Sequence, residues 1–296
     1  MDNLHFQEIN AKQLLTPAKN PAHWFGVQYN MNIYRGCEHA CIYCDSRSEC
    51  YQISCFDDVT IKRNAVEILR AELAKRHRPV FIGTGGMSDP YTLSEARFRL
   101  TGRALQVIAD YGHGVHITTK SDLIVRDLEI LKKISATWAA VGFTLTTVDD
   151  GLAQKIEPRA PLPSKRLAAM KALANAGIFT GIVMMPLLPW IEDNLENISR
   201  IIAIASKCGA KFIIPWFGMS LRDRQRAYYY YHLDRLYPGL RAKYETAYGD
   251  QYICNSPQQP ELERHFKDLC QTYGIIASMK EYFDKLPNLD SQLRLF

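Results

Sequence analysis

The sequence predicts an α/β fold: an open, six-unit relative of the eight-unit barrel, followed by a helical C-terminal extension. Three observations carry this. Apolar runs alternate with amphipathic helical stretches six times. Several runs are continuously apolar, as parallel strands covered on both faces should be. No Gly-rich dinucleotide fingerprint follows the first run; a cysteine cluster stands there instead. Right-handed crossovers curl such a chain into a doubly wound sheet or a barrel. In a barrel relative the site lies at the C-terminal ends of the strands.

Residues 1–25 read as a polar N-terminal arm and 26–220 as the partial (β/α)6 barrel. Strands are expected over 27–34, 80–84, 115–120, 139–146, 180–186 and 211–217. Helices are expected between them. Residues 64–76 put Val66, Leu69 and Leu73 on one face, and 95–111 carry Leu100, Leu105 and Ile108. Residues 123–134, 164–176 and 194–207 follow the same pattern. Gly177 and Gly209 stand where helices should stop, and Ser164 and Asp193 are N-cap candidates. From Leu221 the alternation ends. Residues 221–248 look helical, 252–260 form a loop with Pro257 and Pro260, and 262–273 look helical again. The extension spans 221–290, and 291–296 form a separate tail.

With 296 residues, 47% hydrophobic and 23% charged, the chain can bury a large core. Its net charge of +5 weakly favours a nucleic-acid partner. No stretch reaches the roughly 18 unbroken apolar residues of a membrane span, and residues 1–20 lack signal-peptide character. The expectation is a cytoplasmic protein without membrane contact. Eight cysteines in such a chain argue against a disulfide scaffold.

Three of the eight crowd into Arg35-Gly36-Cys37-Glu38-His39-Ala40-Cys41-Ile42-Tyr43-Cys44. A [4Fe–4S] cluster normally takes four Cys ligands. Three clustered thiolates would leave one iron open to bind and activate a small molecule. Zinc, with His39 as a ligand, is a second reading, although no second Cys/His pair follows at finger-like spacing. A structural cluster with Cys50 or Cys55 as fourth ligand is a third.

Cys-x3-Cys-x-aromatic-Cys after a first strand resembles the signature of radical S-adenosylmethionine (SAM) enzymes. The chain is similar to their spore-photoproduct-lyase-like branch in residues 32–44, Ser88-Asp89-Pro90-Tyr91, Thr118-Thr119-Lys120-Ser121, 144–149, Ile156-Glu157-Pro158-Arg159-Ala160-Pro161, 166–177 and 185–189. The resemblance implies a [4Fe–4S] cluster on Cys37, Cys41 and Cys44. SAM would chelate the open iron, and one-electron reduction would yield methionine and a 5′-deoxyadenosyl radical. A flavodoxin or ferredoxin would supply the electron.

Other residues take their roles from the same resemblance. Tyr43 would pack against adenine, or simply fill a strand end. Gly85 and Gly86, with Ser88 and Asp89 after them, would let backbone meet the methionine amino group; a plain βα turn is the alternative. Lys120 would neutralise the methionine carboxylate, or be a solvated strand-end cation. Thr144 and Thr146 share one face two residues apart and would reach ribose or carboxylate, unless they are ordinary strand filling. Glu157 and Arg159 are site residues or a loop ion pair. Cys50 and Cys55 are candidate hydrogen donors or space fillers.

The chain departs from the lyase itself. The lyase carries a donor cysteine before its Thr-Ser-Asp; here Gly86-Met87-Ser88-Asp89 stands there. The lyase has tyrosine after its third cluster cysteine; here it is Asp45. The expected substrate chemistry is therefore different.

Two features bear on nucleic acid. Arg222, Arg224, Arg226, Arg235, Arg241 and Lys243 interleave with Tyr228–Tyr231. They could grip phosphates and stack on bases, or be a packed helix with solvated arginines. The tail Gln292-Leu293-Arg294-Leu295-Phe296 resembles the bacterial sliding-clamp-binding pentapeptide, with Gln292, Leu293, Leu295 and Phe296 as anchors. Three functions follow: radical SAM chemistry on nucleic acid, the same chemistry on a protein or small molecule, or a non-catalytic metal protein docked on the clamp.

Overall fold

The computed structural model describes residues 6–287; the clamp-like motif at 292–296 lies outside them. The strands are β1 (Phe6–Ile9), β2 (Leu15–Pro17), β3 (Tyr29–Met31), β4 (Tyr34–Arg35), β5 (Val59–Lys62), β6 (Phe81–Thr84), β7 (Gly114–Thr119), β8 (Ala139–Thr144), β9 (Phe179–Met184), β10 (Phe212–Pro215), β11 (Gly218–Ser220) and β12 (Ile253–Asn255). The helices are α1 (Ala65–Leu73), α2 (Glu95–Phe98), α3 (Leu100–Asp110), α4 (Leu128–Ile134), α5 (Asp150–Ile156), α6 (Pro163–Asn175), α7 (Leu195–Lys207), α8 (Asp223–Leu236), α9 (Leu240–Tyr248), α10 (Gln259–Tyr273) and α11 (Met279–Phe283).

The main sheet runs β10-β9-β8-β7-β6-β3-β2. All its pairs are parallel except β2 with β3. Its six parallel strands are the six expected from the apolar runs. β6, β7 and β8 are buried along their whole length, which is why their sequences do not alternate. The helices cover them with the predicted faces: α1 buries Val66, Leu69 and Leu73, and α3 buries Leu100, Leu105 and Ile108.

Several details differ from expectation. The first strand is short, and the chain turns from it into β4, which pairs with β5 and, through it, β1 in a second sheet. The 95–111 helix breaks at Arg99, whose φ of 51° is left-handed. Pro163 takes the first turn of α6, leaving Ser164 inside it. Asn194, not Asp193, caps α7 by accepting from Asn197 N. Gly177 and Gly209 do close α6 and α7: Ile178 N and Ala210 N reach back to Leu173 O and Ala205 O. The helix expected over 221–248 is two, parted at Pro238-Gly239, and the 252–260 loop holds β12 and the start of α10.

After α10 the chain returns to the main sheet. Ile276 bridges β10 in parallel, with Ile213 N donating to Ile276 O and Ile276 N to Lys211 O. Among the described residues no helix is long and apolar enough to cross a membrane.

Candidate active site

The three clustered cysteines sit on the excursion between β4 and β5. Gly36 starts it at φ 91°, where a Cβ would stand 2.6 Å from Phe56 O; only glycine suits that turn. Cys37 N then donates to the same carbonyl. Glu38 is buried and accepts from Thr92 Oγ1, Ser94 N and Ser94 Oγ, which pins the loop to the segment after β6. Ile42 N donates to Ile156 O, and Arg159 N to His39 O, which pins it to the end of α5.

Cys37, Cys41 and Cys44 all line one cavity of about 410 Å³ at the C-terminal ends of the parallel strands. Gly85, Gly86, Thr118, Lys120, Thr144, Met185 and Trp216 line it too. Burial pushes all three thiols up, Cys37 to about 11 with Asp89 adding to the effect. Bare thiols there stay protonated, so the thiolate form needs a bound cation. Among the described residues no three His, Cys, Asp or Glu side chains close on one point as a single metal ion requires. A cubane gives each sulfur its own iron, so its ligands stand apart. Three soft sulfurs, two buried and one half-buried, on the wall of one cavity fit that group.

Behind the cysteines lies a buried charge cluster. Tyr43 donates to Glu157 Oε1, and Arg166 pairs with Glu157 Oε2 while donating to Thr144 O at 3.0 Å. Lys120 Nζ is 3.9 Å from Glu157 Oε1 and 5.6 Å from the Tyr43 ring centre. Burial alone would neutralise Glu157, but Arg166 and Lys120 outweigh it and hold the carboxyl below its usual range. Burial likewise opposes the Lys120 ammonium, and the charges of Cys41, as thiolate, and Glu157 outweigh that. Two cations against one carboxylate leave net positive charge, with Lys120 on the cavity wall.

The glycine loop serves two purposes. At Gly85, φ is 99° and a Cβ would overlap the Thr118 carbonyl, whereas a Cβ on Gly86 meets nothing within 4 Å. Gly85 thus lets β6 pass β7, and Gly86 leaves backbone open to the cavity. Asp89 borders the cavity but spends its carboxylate internally. It accepts from Tyr91 N, Thr119 Oγ1 and Lys120 N, and His39 Nδ1 lies 3.4 Å away. Ser88 is buried, does not line the cavity, and its hydroxyl has no hydrogen-bond partner among the described residues.

Other expected site residues lie elsewhere. Thr146 is turned to Glu192, donating at 2.6 Å, while Thr144 keeps the cavity wall. Arg159, read as a site residue or as the partner of Glu157 in a loop ion pair, is exposed and outside the cavity, and the partner of Glu157 is Arg166. Cys50 and Cys55 are exposed and outside the cavity. The Arg/Tyr segment packs as two helices, α8 and α9. Arg224 donates to Arg47 O and Ile53 O, Arg226 to Leu221 O and Gln251 O, and Arg241 pairs with Asp234 and Glu245. Tyr229 and Tyr230 are buried. These arginines hold the extension together, so the segment is not a free cationic stripe.

Sequence reasoning missed the cavity's aromatic wall of Trp24, Phe56, Trp216 and Tyr252, and also Thr118, Arg166 and Glu192. Asp45 was noted only as a departure from the lyase. It lines the mouth, accepting from Ser220 Oγ, Arg222 and Tyr51 Oη.

A parallel α/β sheet with a triple-cysteine loop at its C-terminal edge defines the class. The chain belongs to the radical SAM superfamily, whose family model matches residues 31–202. Enzymes of this superfamily use a [4Fe–4S] cluster and SAM, and these are the cofactors of this chain. An uncharacterized Mycobacterium tuberculosis protein is 30% identical over 257 residues, 83% of this chain and 74% of its own length. An uncharacterized Methanocaldococcus jannaschii protein is 33% identical over 189 residues, 63% of this chain and 69% of its own. Among solved structures, spore photoproduct lyase complexed with dinucleoside spore photoproduct superposes with a TM-score of 0.68 at 16% identity, over 92% of this chain and 81% of that one. Streptococcus suis SuiB bound to precursor peptide SuiA gives 0.54 at 15% identity, over 84% and 47%. The lyase-like fold expected from the motifs is therefore present.

Proposed function

We propose that this enzyme cleaves SAM reductively and uses the resulting radical on nucleic acid, in repair or modification. The observation that carries the chemistry is the convergence of Cys37, Cys41 and Cys44 on one cavity beside a buried ammonium. The three cysteines would hold the cluster, which when bound and reduced supplies the electron that splits SAM into methionine and a 5′-deoxyadenosyl radical. Lys120 would neutralise the methionine carboxylate, with Arg166 and Glu157 fixing its position. Gly86 offers bare backbone to the amino group. Tyr43, held by Glu157, would pack against the adenine.

Support for nucleic acid comes from the lyase-like fold, the +5 charge and the wall of Trp24, Trp216 and Tyr252, which suits a flat base. The packed α8 does not add to it. The clamp-like tail would bring the enzyme to DNA, and a flavodoxin or ferredoxin in the cytoplasm would reduce it. The SuiB likeness favours a second reading, a peptide substrate.

Anaerobically reconstituted enzyme with dithionite and SAM should release 5′-deoxyadenosine. Intact cluster without that product would defeat the reading. Mass spectrometry after incubation with DNA, RNA and peptide pools then separates the substrates; nucleic-acid products are expected, and peptide products alone would replace the first reading by the second.

A further inference from the structure

Beneath the cavity runs a polar column that the chemistry above leaves unused. It consists of Tyr282 on α11 and His116 and Thr118 on β7. His116 and Thr118 are two residues apart, so both face the same side of the sheet. All three are buried. Tyr282 Oη lies 2.9 Å from His116 Nδ1, and His116 Nε2 lies 3.3 Å from Thr118 Oγ1. The imidazole stacks on Phe25, with ring centres 3.8 Å apart and planes 14° from parallel, and meets the Tyr282 ring edge-on. It has no room to turn. Burial lowers its pKa to about 3, so the ring is neutral and carries one hydrogen.

Two arrangements of that hydrogen are open. With it on Nδ1, His116 donates to Tyr282 Oη and the phenol O–H has no acceptor, because the hydroxyl's other neighbour, the Trp138 indole, can only donate to it. A buried donor left unpaired costs about 1–3 kcal/mol. With the hydrogen on Nε2, Tyr282 donates to Nδ1 and His116 donates to Thr118. The Thr118 hydrogen then points into the cavity that Thr118 lines. The second arrangement satisfies every donor below the cavity and leaves one donor above it.

We propose that Tyr282 and His116 are positioning residues that fix Thr118 as a hydrogen-bond donor to an anionic oxygen of the molecule held beside Lys120. Lys120 lies two residues further on and lines the same cavity, so a carboxylate there meets a cation and an oriented hydroxyl together. The inference rests on the SAM reading and adds to it a determinant from the C-terminal extension.

The direct test is nitrogen NMR of 15N-histidine-labelled holoenzyme with the cluster oxidised. The His116 pattern should be that of Nε2–H; Nδ1–H would overturn the proposal. The second test measures SAM binding by equilibrium dialysis. Tyr282→Phe and Thr118→Val should each weaken it about five- to tenfold, and Thr118→Ser should restore it. Unchanged affinity in both weakened variants, with iron content and visible absorbance intact, would also overturn it. A wrong tautomer with SAM cleavage intact defeats the column alone, whereas absent cleavage in the unsubstituted enzyme defeats the SAM reading.

Discussion

Under the cavity, Glu157 is shared by Arg166 and Lys120, with Tyr43 donating to it. At α2 and α3, Glu95 and Asp127 share Arg126, with Tyr34 and Tyr91 donating to them. Both networks are buried mixtures of carboxylates, cations and phenols. The second is closed. Glu95 also takes Thr101 N and Gly102 N, its charges sum to −1, and none of its members touches the cavity. The first sums to +1 and sets Lys120 on the cavity wall beside three thiols. A closed network holds helices in place; an open one has charge left for a ligand.

The largest effect that would break this comparison is on stability. Glu157→Ala strands two buried cations and should cost about 3–5 kcal/mol in denaturant unfolding. A loss under about 1 kcal/mol would mean that the pair is not dry. Lys120→Met should do the reverse, keeping or improving stability while weakening SAM binding about 10- to 100-fold; equilibrium dialysis beside thermal melts checks both halves.

Glu192 sharpens the contrast because it is a buried carboxylate with no ion-pair partner among the described residues. Burial raises it to about 8, although Thr146 donates to it. Its pKa is raised on folding, so the native state binds more protons than the unfolded one between about 4.5 and 8. Stability therefore falls as pH rises through that window. Glu192→Gln should flatten the fall and be the more stable form near pH 8; parallel curves across pH would refute this. The smallest effect belongs to Cys50→Ser and Cys55→Ser. Each should shift stability by no more than about 0.5 kcal/mol and leave 5′-deoxyadenosine release intact. A lost product yield in either would return that thiol to the active site.

The six parallel strands and their helices were legible because continuous apolar runs and helical periods need no partner to be seen. The cysteine loop was legible from spacing. The partner of Glu157 was not. Arg159 is two residues away and Arg166 nine, but only the turn into α6 decides which arginine faces inward. Thr144 and Thr146 looked equivalent for a similar reason. Strand alternation put them on one face, but β8 ends at Thr144, so Thr146 escapes the rule. The small second sheet was invisible because β1, β4 and β5 are two to four residues long and pair across the cysteine loop. The Arg/Tyr segment left two readings open because composition does not show that its guanidinium groups cap backbone carbonyls of neighbouring loops.

The return of Ile276 to β10 has a consequence for an incomplete barrel. A parallel sheet that stops short of closure has two margins with free amides, and such margins recruit foreign strands. On one side β2 runs antiparallel and brings Pro17, which has no amide hydrogen to offer. On the other, Ile276 occupies the amide of Ile213 and the carbonyl of Lys211. At both margins a residue that blunts strand addition thus stands where the open sheet would otherwise offer its backbone.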